Sequence, residues 1–347
     1  MKKPLCLVTG ACGFMGSHMV EVLVEAGYPV RATDLASAHE RDDIKKGRFP
    51  SVIDQAGAEF VPADLTDPST IEKVVEGVGY VFHLGAIFSY SAPWSLLERV
   101  NVGGTKNLLS ALSRQESFRK IVYWGAGGIY DIKRAGLPIT EESPIGPANN
   151  YLKSKLQAEE YLKEFAETHE MAWSIVRGTT VYGPRGVYGA GQMIMPAASA
   201  PVLAAPKNWT FRLPFVHGRD VCRAALYLAE RSECDGEDYI VNDDSELTMT
   251  GYLAFMADLT GHLFLPLPAI SADKVRSILL PLAGMVQGLT SRMGLSSPLE
   301  RDSIEYLGLD LVFSNKKLKS TGFEFQYPDA RVGLADTVAW YQKNGWI

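Results

Sequence analysis

A tyrosine and a lysine lie four residues apart in a segment that is typical of a helix. Tyr151 and Lys155 would therefore share one helical face. A positively charged ammonium group beside a phenol favours the phenolate and lowers the pKa of the phenol. A tyrosine in this setting can donate or accept a proton near neutral pH. The pair is a candidate for acid–base catalysis, and the lysine is also a candidate to bind a ribose hydroxyl.

A glycine-rich loop follows the first apolar run of the chain, with glycines at Gly10, Gly13 and Gly16. In such a loop the first glycine allows a tight turn, and the second lets a pyrophosphate approach the backbone. The third lets the next helix pack closely on the strand. The start of that helix, at Phe14 and Met15, offers free N–H groups and a partial positive charge to phosphates. The sequence therefore predicts a dinucleotide site here.

Acidic residues after the next two strands indicate which dinucleotide binds. Asp34 ends the second predicted strand, 24 residues after Gly10. A carboxylate at this place accepts bonds from both ribose hydroxyls and repels a 2′-phosphate. We therefore predict NAD rather than NADP as the cofactor, although Arg31 lies nearby in the strand. Asp64 and Leu65, at the end of a third strand, are expected within reach of the adenine; the alternative for this aspartate is that it caps a helix.

The elements that position these residues alternate between strand and helix. Short apolar runs typical of buried strands are separated by amphipathic segments with a helical period. This alternation predicts an α/β fold with a parallel, doubly wound sheet of the Rossmann type and right-handed crossovers. Strands are predicted at residues 5–9, 30–34, 59–62, 80–84, 120–124 and 172–176, and helices at 14–26, 68–76, 94–113, 151–169 and 221–230.

The pattern becomes less regular in the second half of the chain, where Pro, Gly and Ala are frequent. We predict that residues 1–176 form a dinucleotide-binding domain. Residues 177–347 are expected to form most of a smaller, interleaved C-terminal lobe that binds the substrate. Within this lobe, residues 215–230 are predicted to return to the Rossmann core.

The order of these motifs resembles that of the extended short-chain dehydrogenase/reductase family, the NAD-dependent epimerases and dehydratases. Among its branches, the chain is most similar to the 3β-hydroxysteroid dehydrogenase-like one. The resemblance implies that Leu84, Gly85 and Ala86 line the cofactor and that Asn101 braces the backbone. It also implies a homodimer formed through the two long helices. Further matching segments are residues 81–86, 101–105, 151–155, 181–186, 215–217 and 220–221.

One position departs from the family pattern. The family usually has a serine or threonine 25 residues before the tyrosine, and this chain has Ala126 there. That hydroxyl normally donates to the substrate oxygen, so its loss predicts another donor. We expect the donor on the loop after the fourth strand, and backbone N–H groups, a substrate hydroxyl or water are alternatives. The candidate protein donors are Ser89, Tyr90 and Ser91 on that loop and the backbone of Gly127 and Gly128.

Three functions remain open because the fold hosts several reactions. We expect an NAD-dependent oxidoreductase that interconverts a secondary alcohol and a ketone on an apolar, steroid-like or other hydrophobic substrate. The alternative is a nucleotide-sugar epimerase or dehydratase with tightly bound NAD. Its usual Arg-Asp-Phe motif is absent, which weakens a role in binding a pyrophosphate, although Arg212 is a candidate for it. A non-catalytic NAD-binding protein is the third possibility, favoured only by Ala126.

An apolar substrate site is predicted between two segments. One is the loop of residues 85–94, which carries Ile87, Phe88, Tyr90 and Trp94. The other is residues 270–299, which are rich in Leu, Met, Pro and Ala. An apolar lining suits an apolar small-molecule substrate.

Composition excludes several other classes. The net charge is −6 and there is no basic run, so a nucleic-acid partner is not expected. The four cysteines form no C-x-x-C pair and the six histidines have no metal-ligand spacing, so no metal site is expected. No apolar stretch is long enough for an integral membrane segment, and the first residues do not resemble a secretory signal. The sequence therefore predicts a cytoplasmic protein.

Overall fold

The computed structural model describes residues 3–292 and 304–347. Within these residues, seven parallel strands form the central sheet in the order β10-β6-β5-β4-β1-β2-β3. The order reverses beside β1, as it does in a doubly wound Rossmann sheet, so the predicted fold class is confirmed. The strands of this sheet are β1 (Leu5–Thr9), β2 (Val30–Thr33), β3 (Glu59–Phe60), β4 (Val78–His83), β5 (Lys120–Trp124), β6 (Trp173–Gly178) and β10 (Glu237–Val241).

Helices cover both faces of the sheet. The predicted helix at residues 94–113 is interrupted by a π-helical stretch, Glu98–Gly103, between α4 and α5. Such wide turns are frequent at functional sites. The helices of this half of the chain are α1 (Phe14–Glu25), α2 (Pro50–Ala56), α3 (Pro68–Val75), α4 (Trp94–Leu97), α5 (Gly104–Leu112) and α6 (Asn150–His169).

The alternation of side chains along the strands divides the core into two layers. Val8 faces one layer, where α1 packs, and its neighbour Leu7 faces the other, together with side chains from α3, α5 and α6. Val122 and Tyr123 divide in the same way on β5. Both faces of a parallel sheet are buried in this way, which explains why the strands read as continuous apolar runs.

Later segments of the chain both extend this core and build the second lobe. Helix α8 (Gly218–Ala229) packs against α1, and its Val221 is buried in the same cluster as Val8. Strand β10 was not anticipated from the sequence. It pairs with β6 at the sheet edge, whereas its residues were predicted to belong to the C-terminal lobe.

The second lobe contains two small parallel sheets, β7 (Thr180–Tyr182) with β9 (Phe215–His217) and β8 (Val202–Pro206) with β11 (Leu263–Leu267). Its buried side chains, among them Tyr252 and Tyr341, form a separate cluster. The remaining helices are α7 (Gly191–Ser199), α9 (Met249–Thr260), α10 (Ala272–Arg292), α11 (Lys316–Ser320) and α12 (Ala330–Lys343).

Helix α10 carries part of the segment predicted to cover the substrate. Ile278 is 69% exposed and Met285 is 63% exposed, so neither side chain is part of a core. Part of the predicted segment, residues 293–299, lies outside the described residues. In the parts of the chain that the structure describes, no helix is both long enough and apolar enough to cross a membrane.

Candidate active site

The glycine-rich loop has the shape that a dinucleotide phosphate requires. Gly10 has a φ of +66°, and a Cβ there would lie 2.8 Å from the Cα of Gly85. A Cβ at Gly16 would lie 2.0 Å from the carbonyl oxygen of Gly10, so only glycine allows α1 to pack this closely. A Cβ at Gly13 would lie 3.3 Å from the same carbonyl oxygen, which is a tight contact, so a side chain is disfavoured here as well. The loop therefore fits a pyrophosphate.

The start of α1 supports the same assignment. Among the described residues, no side chain caps this end, and its first turn contains no acid. By contrast, α3 is capped by Asp67 and α6 by Asn149. The first N–H groups of a helix lack intrahelical acceptors. The N–H groups of Phe14 and Met15 are therefore candidates to bind an anionic phosphate.

Asp34 follows β2 and lies against the glycine-rich loop. Its Oδ2 accepts the N–H of Cys12 at 3.1 Å, and its Oδ1 accepts the N–H of Leu35 at 2.8 Å. Burial raises the pKa of this carboxyl, while the two N–H groups and the nearby charge of Arg48 act in the opposite direction. Each carboxylate oxygen has a further lone pair that can accept a ribose hydroxyl.

The structure assigns different roles to the charged groups near this site. Arg31 donates to Glu59 at 2.9 Å and to the carbonyl oxygen of Glu76 at 2.7 Å, so its guanidinium is already paired within the chain. Asp64 accepts the N–H and the hydroxyl of Thr66, both at 2.8 Å. It therefore stabilises a turn, and Asp67 caps α3 instead.

The loop after β4 contacts the glycine-rich loop. The N–H of Gly85 donates to the hydroxyl of Thr9 at 2.9 Å. Leu65 packs beside it, since a Cβ at Gly85 would lie 2.8 Å from the Leu65 Cδ1 atom. Leu84 is half-buried and Ala86 is exposed. The residues predicted to line the cofactor are thus brought to the carboxyl edge of the sheet.

A buried chain of hydrogen bonds connects β1 with α6. His83 contacts the Thr9 hydroxyl at 2.8 Å and the Thr105 hydroxyl at 2.9 Å. Burial and the charge of Lys155 lower the pKa of His83 to about 3, so it is neutral at physiological pH.

Asn101, on the π-helical stretch, continues this connection. It accepts the N–H of Ile87 at 2.8 Å and donates to Ser154 at 2.9 Å. Ser154 in turn donates to the carbonyl oxygen of Tyr151 at 2.7 Å. Asn101 thereby fixes the loop after β4 against the helix that carries the tyrosine.

Aromatic side chains surround Tyr151. The ring of Phe88 lies edge-on to it with 4.9 Å between centroids, and the Tyr90 ring lies at 5.9 Å. Tyr188 extends this group, with 6.4 Å between its ring and that of Phe88. Tyr188 was not predicted from the sequence as a site residue. Its position shortly after the matched segment 181–186 was the available signal.

Burial dominates the protonation of the tyrosine–lysine pair. It raises the pKa of Tyr151, whereas the spacing had suggested that the ammonium group would lower it. Burial also lowers the pKa of Lys155 to about 7, with a smaller opposing effect of Glu159. The Lys155 Nζ lies 4.3 Å from the centroid of the Tyr123 ring. Tyr151 is therefore a neutral phenol, and Lys155, one helical turn further on, is an amine that titrates near neutral pH.

Ala126 begins a short turn, Gly127–Ile129, after β5. The side chain is buried and belongs to an apolar cluster that Tyr151 contacts. On the opposite loop, the hydroxyls of Ser89 and Ser91 lie 3.3 Å apart and contact each other.

The arginine considered for pyrophosphate binding is already paired. Arg212 donates to Asp310 through its backbone N–H at 2.8 Å and through its guanidinium at 2.6 Å. A second carboxylate, Glu246, lies 3.4 Å from the same guanidinium. Its positive charge is therefore neutralised by the chain itself. Within the described residues, no three His, Cys, Asp or Glu side chains are grouped as a metal site would require.

Fold and site together define a dinucleotide-dependent enzyme of the short-chain dehydrogenase/reductase type. The sequence profile of the NAD dependent epimerase/dehydratase family matches residues 6–242. The chain therefore belongs to this family, and its cofactor is NAD.

Relatives match over nearly the full chain. A bifunctional dihydroflavonol 4-reductase/flavanone 4-reductase of Malus domestica is 25% identical over 95% of this chain and 88% of its own length. Sterol demethylase protein B of Methylococcus capsulatus is 26% identical over 98% of this chain and 99% of its own. The UDP-glucose 4-epimerase of Thermus thermophilus, solved with NAD, has the same fold. Its TM-score is 0.70 at 23% identity, over 97% of this chain and 99% of that one.

Proposed function

We propose that this enzyme interconverts an apolar secondary alcohol and its ketone with NAD(H), using Tyr151 and Lys155. The observation that carries the proposal is the aromatic group around the tyrosine. Phe88 is 44% exposed and Tyr188 is also 44% exposed, although both rings are large and apolar. Exposed aromatic side chains beside a buried polar group are typical of a site that buries an apolar ligand.

The pairing of Arg212 favours this reaction over nucleotide-sugar chemistry. A pyrophosphate needs a cation with free donors, and a guanidinium that already binds Asp310 and Glu246 has lost most of its attraction for an anion. The names of two relatives agree with this preference, because a dihydroflavonol 4-reductase and a sterol demethylase protein are not named for a sugar nucleotide. Other relatives are named as UDP-glucose 4-epimerases, so the test includes that reaction.

The protonation of the pair suits ketone reduction near neutral pH. The bound nicotinamide supplies a hydride to the carbonyl carbon, and the carbonyl oxygen needs a proton. Tyr151 is a neutral phenol because burial raises its pKa, so it has a proton to donate. Lys155, with a pKa of about 7, is partly protonated and can stabilise the phenolate or return a proton to it. Alcohol oxidation runs the same transfers in reverse.

The test compares two substrate classes with one matched pair of variants. NADH oxidation is measured with 5α-cholestan-3-one and with dihydroquercetin, and conversion of UDP-galactose to UDP-glucose is measured in parallel. We expect turnover of an apolar ketone, with a loss of ~10²–10⁴-fold in Tyr151→Phe and unchanged NADH binding. Tyr161→Phe, on the same helix, is the control and should keep full activity.

Two results would contradict the proposal. One is epimerisation of the sugar nucleotide without reduction of either ketone. The other is full activity of Tyr151→Phe. The fate of the cofactor gives a further distinction. An epimerase recycles NAD and retains it during purification, whereas a dehydrogenase exchanges it freely with solution.

We also propose that two copies associate through the helices at residues 94–113 and 151–169. Within one chain these helices already contact each other, with the Lys106 Nζ 4.7 Å from the Tyr161 ring. Over these fully described helices, no large apolar side chain is strongly exposed. The contact would therefore be largely polar, so we expect a dimer that dissociates on dilution. Sedimentation over a range of concentrations tests this, and a monomer at every concentration would rule it out.

A further inference from the structure

The side chain of Asn149 contains a buried donor without a partner. Within the described residues, its Nδ2 atom is one of five buried side-chain polar atoms that make no hydrogen bond. More than ~90% of buried polar groups in proteins are paired, and leaving one unpaired costs about 1–3 kcal/mol. A buried amide N–H without a protein partner, two residues from the candidate catalytic tyrosine, is free to donate to a bound molecule.

The orientation of this amide is fixed by its role at the start of α6. The Oδ1 atom accepts the N–H of Leu152 at 2.9 Å, which caps the helix. Only the oxygen of an asparagine side chain can accept a hydrogen bond, so the other atom must be the NH2 group. The unpaired atom is therefore a donor, whichever way the amide is first assigned.

The position of Asn149 relates it to the missing hydroxyl. It lies two residues before Tyr151, and it caps the N–H of Leu152, whose side chain packs on the turn after Ala126. A Cβ at Gly128 of that turn would lie 3.0 Å from the Leu152 side chain. The segment that leads to Asn149 is also held there, because the N–H of Gly146 donates to the Ile129 carbonyl oxygen at 2.9 Å.

We propose that the Asn149 amide binds the substrate oxygen in place of the hydroxyl that is absent at Ala126. The inference rests on the proposed alcohol–ketone chemistry and assigns its second hydrogen-bond donor. Tyr151 transfers the proton, and the Nδ2–H group of Asn149 stabilises the negative charge that develops on the same oxygen. No co-reactant beyond NAD(H) and the substrate is needed.

Other candidate donors are less well placed. The hydroxyls of Ser89 and Ser91 contact each other at 3.3 Å on an exposed loop, so only the accepting one of the two keeps its proton for a ligand, and neither is a buried donor without a partner. None of the other unpaired buried atoms lies on α6 or at its cap. They are located on β2, on β9, after β10 and on α9. They are the Thr33 Oγ1, His217 Nε2, Asp243 Oδ2 and Tyr252 Oη atoms.

The test removes the donor while preserving the cap. Serine and aspartate cap helices about as well as asparagine but have no NH2 group. We expect Asn149→Ser and Asn149→Asp to lower kcat for 5α-cholestan-3-one or dihydroquercetin by ~10²–10³-fold. The melting temperature and the Kd for NADH should stay unchanged. Asn150→Ser, at the exposed neighbouring position, is the matched control and should keep full activity.

A double variant tests whether a hydroxyl at position 126 can replace the amide of Asn149. Adding Ala126→Ser to Asn149→Ser restores the family hydroxyl, and we expect it to recover at least tenfold in kcat. Full activity of both Asn149 variants, with Tyr151→Phe inactive, would overturn this inference and leave the proposed function intact. A loss in Ser89→Ala or Tyr90→Phe without a loss in the Asn149 variants would place the donor on the other loop. No reduction of either ketone by the native enzyme would overturn both proposals.

Discussion

The carboxylate of Asp34 accepts a hydrogen bond from the backbone N–H of Cys12, with 3.1 Å between oxygen and nitrogen. The acid that follows β2 is thereby attached to the loop that fits the pyrophosphate. A third residue, Arg48, lies close enough to affect the pKa of this carboxyl. The choice between NAD and NADP therefore depends on a carboxylate and a guanidinium that share one site.

We expect NAD(H) to bind at least tenfold more tightly than NADP(H), because the Asp34 carboxylate repels a 2′-phosphate. Asp34→Ser should reduce the preference for NAD(H) over NADP(H). Adding Arg48→Ala should increase that preference again, because it removes the cation that attracts a 2′-phosphate. Arg31→Ala is the control, since that guanidinium is bound to Glu59 and to backbone carbonyls. Fluorescence titration with NADH and NADPH measures the ratio. Tighter binding of NADPH by the native enzyme would contradict the expectation.

The buried amine of Lys155 should destabilise the cofactor-free enzyme at low pH. Its pKa is lowered from 10.5 to about 7 in the folded chain, so the unfolded chain binds this proton more tightly. The penalty is complete below pH 7 and disappears as the pH rises towards 10.5. Lys155→Met should therefore stabilise the protein by roughly 1–3 kcal/mol at pH 6 and by much less at pH 10. Urea unfolding at both pH values measures this, and an equal gain at both would show that charge burial is not the cause.

Phe88 should contribute to substrate binding more than to the chemical step. Its ring lies 4.9 Å from that of Tyr151 and is 44% exposed. Full burial of a phenylalanine side chain is worth about 1.5–3 kcal/mol, and a ligand can bury only the 44% of this ring that is exposed, so Phe88→Ala should raise KM for an apolar ketone by ~3–10-fold. Val332→Ala, at an apolar position on α12 that is 58% exposed, should leave KM unchanged. Steady-state kinetics distinguish the two, and similar KM values in both variants would contradict an apolar site here.

The ion pair between Glu159 and Arg177 should be important for stability. Both residues are at most 3% exposed, and Arg177 donates to Glu159 from two nitrogens. Arg177 also pairs with Asp238, so Glu159→Gln removes one of its two carboxylate partners and should cost about 2 kcal/mol. The exposed pair Glu72–Arg114 is the control, and Glu72→Gln should cost less than about 1 kcal/mol. If both variants lost the same free energy of unfolding in chemical denaturation, burial would not determine how much each ion pair stabilises the protein.

Much of this enzyme follows from short stretches of its sequence. The glycine-rich loop, Asp34 and the Tyr151–Lys155 spacing are local patterns. Each depends on backbone conformation and on the distance between neighbours along one element. The alternation of strands and helices is local in the same sense, so the Rossmann sheet was predictable. Strand β10 was not, because five residues at the edge of a sheet resemble many other short apolar runs.

Only the tertiary structure determined which groups meet. Arg212 and Asp310 are 98 residues apart in the chain, and their contact decides that this guanidinium is paired. Tyr188 approaches Phe88 only because the second lobe folds back over the carboxyl edge of the sheet. The pKa of Tyr151 likewise depends on burial, which no spacing of residues specifies. The sequence determines the residue types and their local geometry, whereas charge pairing and desolvation arise from the packing of distant segments.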